Sequence, residues 1–205
     1  RPPRSTLFPY TTLFRSGLVG AGRTETARAI FGADHYESGQ IFVNGEEVKI
    51  TCPSDAIRHG IAYLSEDRKQ YGLVLGLDVD INIALPNMEK YQNSGFIKFG
   101  ASEKNSKEQS EKLRIKTPSI KQKVGLLSGG NQQKVVLAKW LTKNSDILIF
   151  DEPTRGIDIG AKNEIYKLLN QLAEEGKTII VISSELPEII RTCHRRSEER
   201  RVGKE

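Results

Sequence analysis

Cysteine is scarce: Cys52 and Cys193 are the only two in 205 residues. Two thiols cannot build the disulfide framework of a small secreted domain or a zinc site, so this usage fits a reducing cytosol. Long apolar runs are also missing. None approaches the roughly 18 residues that a bilayer crossing needs, so any membrane association has to come through a partner. Histidine is confined to His35, His59 and His194, which lie away from the motifs below and read as surface residues. The single tryptophan, Trp140, lies among Val136, Leu137 and Leu141 at helical spacing, and reads as core packing rather than a stacking platform.

A real excess of one charge sign is absent too. Residues Leu7–Ser16 (LFPYTTLFRS) and Arg196–Glu205 (RSEERRVGKE) can be encoded by in-frame reverse complements. Phe8 (TTT) stands against Lys204 (AAA), Pro9 (CCC) against Gly203 (GGG) and Tyr10 (TAC) against Val202 (GTA), and so on through all ten pairs. With RPPRST upstream, the pattern looks like a translated sequencing adaptor joined to both ends of a gene fragment. Residues 1–16 and 196–205 are therefore set apart from functional reasoning. Thr11–Arg15 are expected either to pack poorly or to be borrowed into a vacant strand position; dense packing of Arg196–Glu205 would count against the exclusion. The two ends hold seven of the 31 Lys and Arg and three of the 26 Asp and Glu, which leaves 24 basic and 23 acidic side chains. The pI near 9.1 is then mostly a property of the ends and gives no support for a nucleic-acid partner. The remaining length suits one domain with a subdomain.

Gly17–Thr24 (GLVGAGRT) is present near the start and fits the phosphate-loop template GxxxxGK[ST], with Arg23 in the lysine place. Glycines let successive N–H groups turn inward around phosphate oxygens, and Thr24 can offer its hydroxyl to Mg²⁺. Arg23 keeps the charge but not the shape, because a planar fork cannot act as a compact point charge between phosphates. A glycine turn with no ligand is the plainer alternative. Thr24–Phe31 reads as a helix ended by Gly32. Ile41, Val43, Asn44-Gly45, Val48 and Ile50 signal a hairpin. Pro53–His59, closed by Gly60, reads as a short helix and Ile61–Leu64 as a buried strand running into Ser65-Glu66-Asp67-Arg68-Lys69. Asp80 to about Lys143 has helical periods and reads as an inserted helical subdomain, within which Ala101–Ile115 is expected to be a solvated helix.

Two further motifs are the most telling. Leu127–Gln133 (LSGGNQQ) opens a helix with a Ser-Gly-Gly turn, whose free N–H groups and positive helix end suit the γ-phosphate of a nucleotide. Asp146–Phe150 is an apolar strand ending in Asp151-Glu152. There Asp151 can hold Mg²⁺ through water and Glu152 can polarise an attacking water. Ala161–Glu175 repeats Ile165, Leu168, Leu169 and Leu172 on one helical face up to Gly176, and the strand Thr178–Ile182 leads to Ser183-Ser184-Glu185-Leu186. Alternating strands and helices around a phosphate loop predict a three-layer α/β core.

LSGGNQQKV with LIFDEPTRGID resembles the signature, Walker B and D-loop of an ABC-type ATPase. More narrowly, the chain resembles the second nucleotide-binding half of the tandem ATPase subunit of bacterial ribose, galactose and xylose importers, from Gly17 to about Arg195. The resemblance implies a P-loop NTPase core with a small antiparallel β region and an inserted helical subdomain. It also implies ATP and Mg²⁺ as cofactors. The implied partners are a first nucleotide-binding half, fused or dimeric, transmembrane permease subunits and, indirectly, a periplasmic sugar-binding protein; the implied location is the cytoplasmic face of the cell membrane. Candidate nucleotide-binding residues are Gly17, Gly20, Ala21, Gly22, Arg23 and Thr24, and candidate metal ligands are Thr24 and Asp151. Catalytic candidates are Glu152, Glu66 and Ser184. Ser128, Gly129, Gly130 and Gln132 would serve a partner's nucleotide, and Asp158 a dimer interface.

Three positions depart from the family pattern. Arg23 replaces the lysine, Glu66 stands where most members have a glutamine that touches Mg²⁺ and the attacking water, and Ser184 stands where most have a histidine contacting the γ-phosphate. In ABC proteins two halves face head to tail, and each ATP lies between the phosphate loop of one half and the signature of the other. The home site is thus altered while the signature is intact, which implies a slow or inactive home site. Alternatives are a nucleotide sensor without turnover and a soluble ABC protein acting on nucleic acid or ribosomes. The adaptor junctions are expected to have removed the strand before the phosphate loop, the adenine-stacking aromatic and the last strands. Nothing in an ATPase half touches the sugar.

Overall fold

The computed structural model of the chain describes residues 12–16, 22–93, 96–97, 99–185, 187–188, 190 and 195–198. In chain order its elements are β1 (Thr12–Ser16), α1 (Arg23–Ile30), β2 (Ile41–Val43), β3 (Glu46–Val48), α2 (Pro53–Arg58) and β4 (Ile61–Leu64). They continue with α3 (Val79–Ala84), α4 (Met88–Tyr91), β5 (Gln92–Asn93), β6 (Phe96–Ile97), α5 (Phe99–Lys112), α6 (Gly129–Thr142) and β7 (Ile147–Asp151). The last are α7 (Ile159–Glu174), β8 (Thr178–Ser183) and β9 (Arg195–Glu198).

IAYL, ILIFD and TIIVIS in β4, β7 and β8 are nearly unbroken apolar runs, and almost all of their residues are buried. Such runs are what a sheet covered on both faces requires. The five-stranded order is β4-β7-β8-β1-β9. β7 and β8 pair in parallel from Ile147 opposite Thr178 to Asp151 opposite Ile182. β1 pairs in parallel with both β8 and β9. It lies in the segment set apart above, and Thr12–Arg15 therefore fill a strand position, the second outcome expected for them. Thr11 lies outside the described residues. Backbone pairing asks only for extended, β-favouring residues, and Thr12-Leu13-Phe14 supply them whatever their origin. Arg196–Glu198 run within β9, and residues 199–205 lie outside the described ones.

The chain divides into two compact units, one of residues 1–63, 146–153 and 166–205, the other of residues 64–145 and 154–165. The first holds the sheet. Its helix α1 ends at Gly32, with φ of 74° and a position where a Cβ would lie 2.7 Å from the Cys52 backbone, so only glycine fits. The β2–β3 hairpin turns through Asn44 and Gly45, both at positive φ, the geometry that matches strand twist. Asp55 closes the start of α2 by accepting from the Thr51 amide at 2.9 Å and hydroxyl at 2.7 Å. These bonds hold its carboxyl down to about 2.

The second unit is helical and begins at Leu64, ahead of the expected Asp80. The reason is Asn82, fully buried, whose side chain bonds Val74 N–H at 2.8 Å, Val74 C=O at 3.0 Å and Asp78 C=O at 2.9 Å. Lys139 on α6 donates to the Gly72 carbonyl at 2.9 Å. Together they tie the segment after β4 onto α3 and α6. The expectation that Ala101–Ile115 is only a solvated helix is corrected: α5 docks through a stripe of buried serines, Ser102, Ser106 and Ser110. Ser102 and Ser106 donate to one Asp80 oxygen at 2.6 and 2.8 Å, and Lys121 reaches the other at 3.1 Å. The signal was legible as serines four apart.

Asp80→Ala leaves both hydroxyls without their charged acceptor and is expected to cost about 2–3 kcal/mol of stability in urea unfolding. A native carboxyl held below its unfolded value contributes stability above the unfolded pKa and loses it as protons bind. Stability of the chain should therefore fall as pH drops from about 3.9 through about 2, and Asp55→Asn should flatten that part of a pH series of melting curves.

Candidate functional site

Parallel strands end at the same edge, so the register of β7 with β8 sends Asp151-Glu152 and Ser183-Ser184 out of the sheet side by side. The Glu152 N–H donates to the Ile182 carbonyl at 2.8 Å, with Glu152 in the left-handed region at φ 48°. A non-glycine residue held there marks a constrained turn. Ser184 donates its hydroxyl to a Glu152 carboxylate oxygen at 3.2 Å, so these two catalytic candidates meet. Burial pushes the Glu152 carboxyl up, and the Ser184 hydroxyl and amide oppose the shift.

Asp151 is buried and accepts from the Tyr63 hydroxyl at 2.8 Å. Tyr63 comes from β4, where sequence reasoning saw only an apolar strand residue. Its phenol was the overlooked polar handle, and burial together with Asp151 pushes its pKa up. Burial also raises Asp151, against the pull of Tyr63, Thr24 and Arg23. The second Asp151 oxygen has no hydrogen-bond partner of ordinary geometry. An orphaned carboxylate oxygen beside the Thr24 hydroxyl fits a hard divalent cation completed by other oxygens. Among the described residues no group of three His, Cys, Asp or Glu could bind a metal alone.

Gly22 caps α1 at φ 72°, with Arg23 and Thr24 in the first turn. Gly17, Gly20 and Ala21 lie outside the described residues. Arg23 is buried, and one guanidinium N–H donates to the Ser183 carbonyl at 2.8 Å. Its fork thus ties the start of α1 to the end of β8. Next to that carbonyl, the Ser183 hydroxyl donates to buried Glu188, a partner that sequence reasoning did not single out.

In the helical unit, Ser128 is exposed and stands at the N-cap of α6. Its hydroxyl accepts from the Asn131 amide at 3.0 Å. Packing demands glycine at 130, where a Cβ would lie 2.8 Å from that of Ala161; one on Gly129 would lie 2.6 Å from Arg68 Nη2, the movable end of a long side chain, and 3.2 Å from the Gly156 carbonyl. Gln132 is buried, and its amide donates to the Val124 and Leu127 carbonyls at 3.2 Å each, so it supports the turn from inside. The Glu66 carboxylate is paired with Arg155 of the PTRGID segment. Asp158 accepts from the Ala161 N–H at 2.9 Å and caps α7.

A glycine-started helix, a strand ending in Asp-Glu and a helical unit whose Ser-Gly-Gly helix start exposes its serine define a P-loop NTPase of the cassette class. The model of the ABC transporter family matches residues 6–155, and the chain belongs to that family. Over 181 residues it is 59% identical to a putative ribose/galactose/methyl galactoside import ATP-binding protein of Albidiferax ferrireducens, covering 88% of this chain and 36% of the relative. The xylose import ATP-binding protein of Thermoanaerobacter pseudethanolicus is 56% identical over 176 residues, 85% of this chain and 35% of its own length. The chain thus spans about a third of the length of the curated relatives it matches. A dimeric ATP-binding cassette solved in a post-hydrolysis state with ADP and phosphate has a TM-score of 0.74 and 22% identity, covering 93% of this chain and 81% of that one. A nucleotide-free cassette from an ABC transporter gives the same TM-score at 18% identity, over 93% and 76% of the two chains. Both likenesses show the fold. No helix among the described residues is long and apolar enough to cross a membrane.

Arg23→Met strips the Ser183 carbonyl of a charged donor, and is expected to destabilise the nucleotide-free chain by about 1.5–3 kcal/mol in urea unfolding.

Proposed function

We propose that residues 17–195 are the second nucleotide-binding half of a monosaccharide importer's ATPase, coupling ATP binding and hydrolysis to sugar uptake. Its signature completes the working site on a first half, and its own site turns over slowly. The carrying observation is the exposed Ser128 at the positive start of a helix of 14 residues, where backbone N–H groups await an anion. The names of relatives that import ribose, galactose and xylose support the substrate class. A first half, permease subunits and, through them, a periplasmic binding protein are the partners, and the permease holds this half on the cytoplasmic face of the membrane. The balanced charge gives nucleic acid no role.

At the home site Thr24 and Asp151 would hold Mg²⁺, which neutralises phosphate charge when bound. Two features favour slow turnover there. Arg23 donates to the Ser183 carbonyl, so the cation that family members aim at phosphates is committed to the sheet. Ser184 occupies the Glu152 carboxylate where most members place a histidine on the γ-phosphate. Each missing transition-state contact costs roughly 10²–10³ in rate.

The test is ATP turnover by the full-length importer ATPase carrying this sequence. Ser128→Ala is expected to lower kcat by about 10²-fold, and Glu152→Gln by much less. The reverse pattern, with Glu152→Gln inactivating and Ser128→Ala silent, would assign the working site to this half's own pocket.

A further inference from the structure

Two loops of the helical unit converge on one arginine. After β4 the Asp67 carboxylate accepts from the Lys69 and Gln70 N–H groups at 3.0 Å each, which turns the chain. Arg68 lies within that turn. Its guanidinium Nη1 donates to the Arg155 carbonyl at 3.1 Å, while Nη2 fills the space that a Cβ on Gly129 would need. The same Cβ would lie 3.2 Å from the Gly156 carbonyl, so the start of α6 and the loop before α7 are already in close contact at this point. Glu66 ties the loop a second time through Arg155. Farther along, Lys134 on α6 reaches Glu164 on α7 at 2.6 Å. Burial pulls the Arg68 pKa down, and its Nε has no hydrogen-bond partner. This arginine has given up hydration to occupy its place, which a loosely solvated surface charge does not do.

We propose that Arg68 is a positioning residue: it locks the Ser128-Gly129-Gly130 turn in register with the Gly156-Ile157-Asp158 segment, so that both are presented to one nucleotide as a single rigid surface. The proposal rests on the reading of that turn as serving a partner half. The fork of arginine can donate through Nη1 to the Arg155 carbonyl while its Nη2 stands against Gly129, so a lysine replaces the charge but not the brace.

The experiment measures kcat and KM for ATP, with melting temperature, on the full-length ATPase carrying Ser128→Ala, Arg68→Ala, Arg68→Lys, Gly129→Ala or the Arg68→Ala/Gly129→Ala pair. Misplacing the turn without removing a contact is expected to lower kcat about 10- to 100-fold in Arg68→Ala, with KM unchanged and Arg68→Lys intermediate. Gly129→Ala pushes the guanidinium off its carbonyl, so the double variant should be no slower than the slower single variant. Wild-type kcat in Arg68→Ala, or losses that multiply in the double variant, would overturn the brace. If Arg68→Ala fails to fold, Arg68→Lys at wild-type melting temperature decides by the same kcat comparison. A silent Ser128→Ala removes the reading beneath it; a slow Ser128→Ala beside a wild-type-like Arg68→Ala removes only the brace.

Discussion

The parallel pairing of β7 with β8 is the constraint on which the home site depends. Because both strands run the same way and are buried along most of their length, their carboxyl ends have to leave the sheet together. The acidic pair Asp151-Glu152 and the serine pair Ser183-Ser184 are thereby brought to one edge, although many residues separate them in sequence. The amide of Glu152 then closes onto the Ile182 carbonyl, which fixes the left-handed turn and aims the carboxylate at Ser184. Tyr63 anchors the neighbouring carboxylate from β4, so three strands contribute to the surroundings of two acids.

At this edge Arg23 and Ser184 each take a partner within the fold. Arg23 is long enough to cross to β8, where its guanidinium donates to the Ser183 carbonyl. Ser184 is short enough to sit against Glu152, and its hydroxyl donates to the carboxylate. In the helical unit the acid at Glu66 likewise finds Arg155. Pairs formed in this way hold a fold in place without needing a ligand to satisfy them.

The signature turn shows why glycine carries two separate requirements. Its open N–H groups suit an anion, but in this chain Gly129 and Gly130 are also the places where Arg68 and Ala161 come closest. A side chain at either position would meet a neighbouring element before it met a nucleotide. Gln132, one turn further on, faces inward and bonds two carbonyls of the approach to the helix. The exposed chemistry of the motif is therefore concentrated at its serine.

The sequence by itself determined the hairpin at Asn44-Gly45, the short helix from Pro53, the helix opened by Ser128 and the buried strands β4, β7 and β8, because these follow from local periodicity and from glycine's access to positive φ. It also determined the family, since LSGGNQQ and LIFDEPTRGID are contiguous. Tertiary structure alone decided which polar groups meet. Tyr63 on Asp151, Arg23 on the Ser183 carbonyl, Arg68 on the Arg155 carbonyl and the serines of α5 on Asp80 are contacts between residues far apart in the chain. No local pattern encodes them, because a hydrogen bond depends on distance and direction in space, and those exist only after the sheet and the helices have packed.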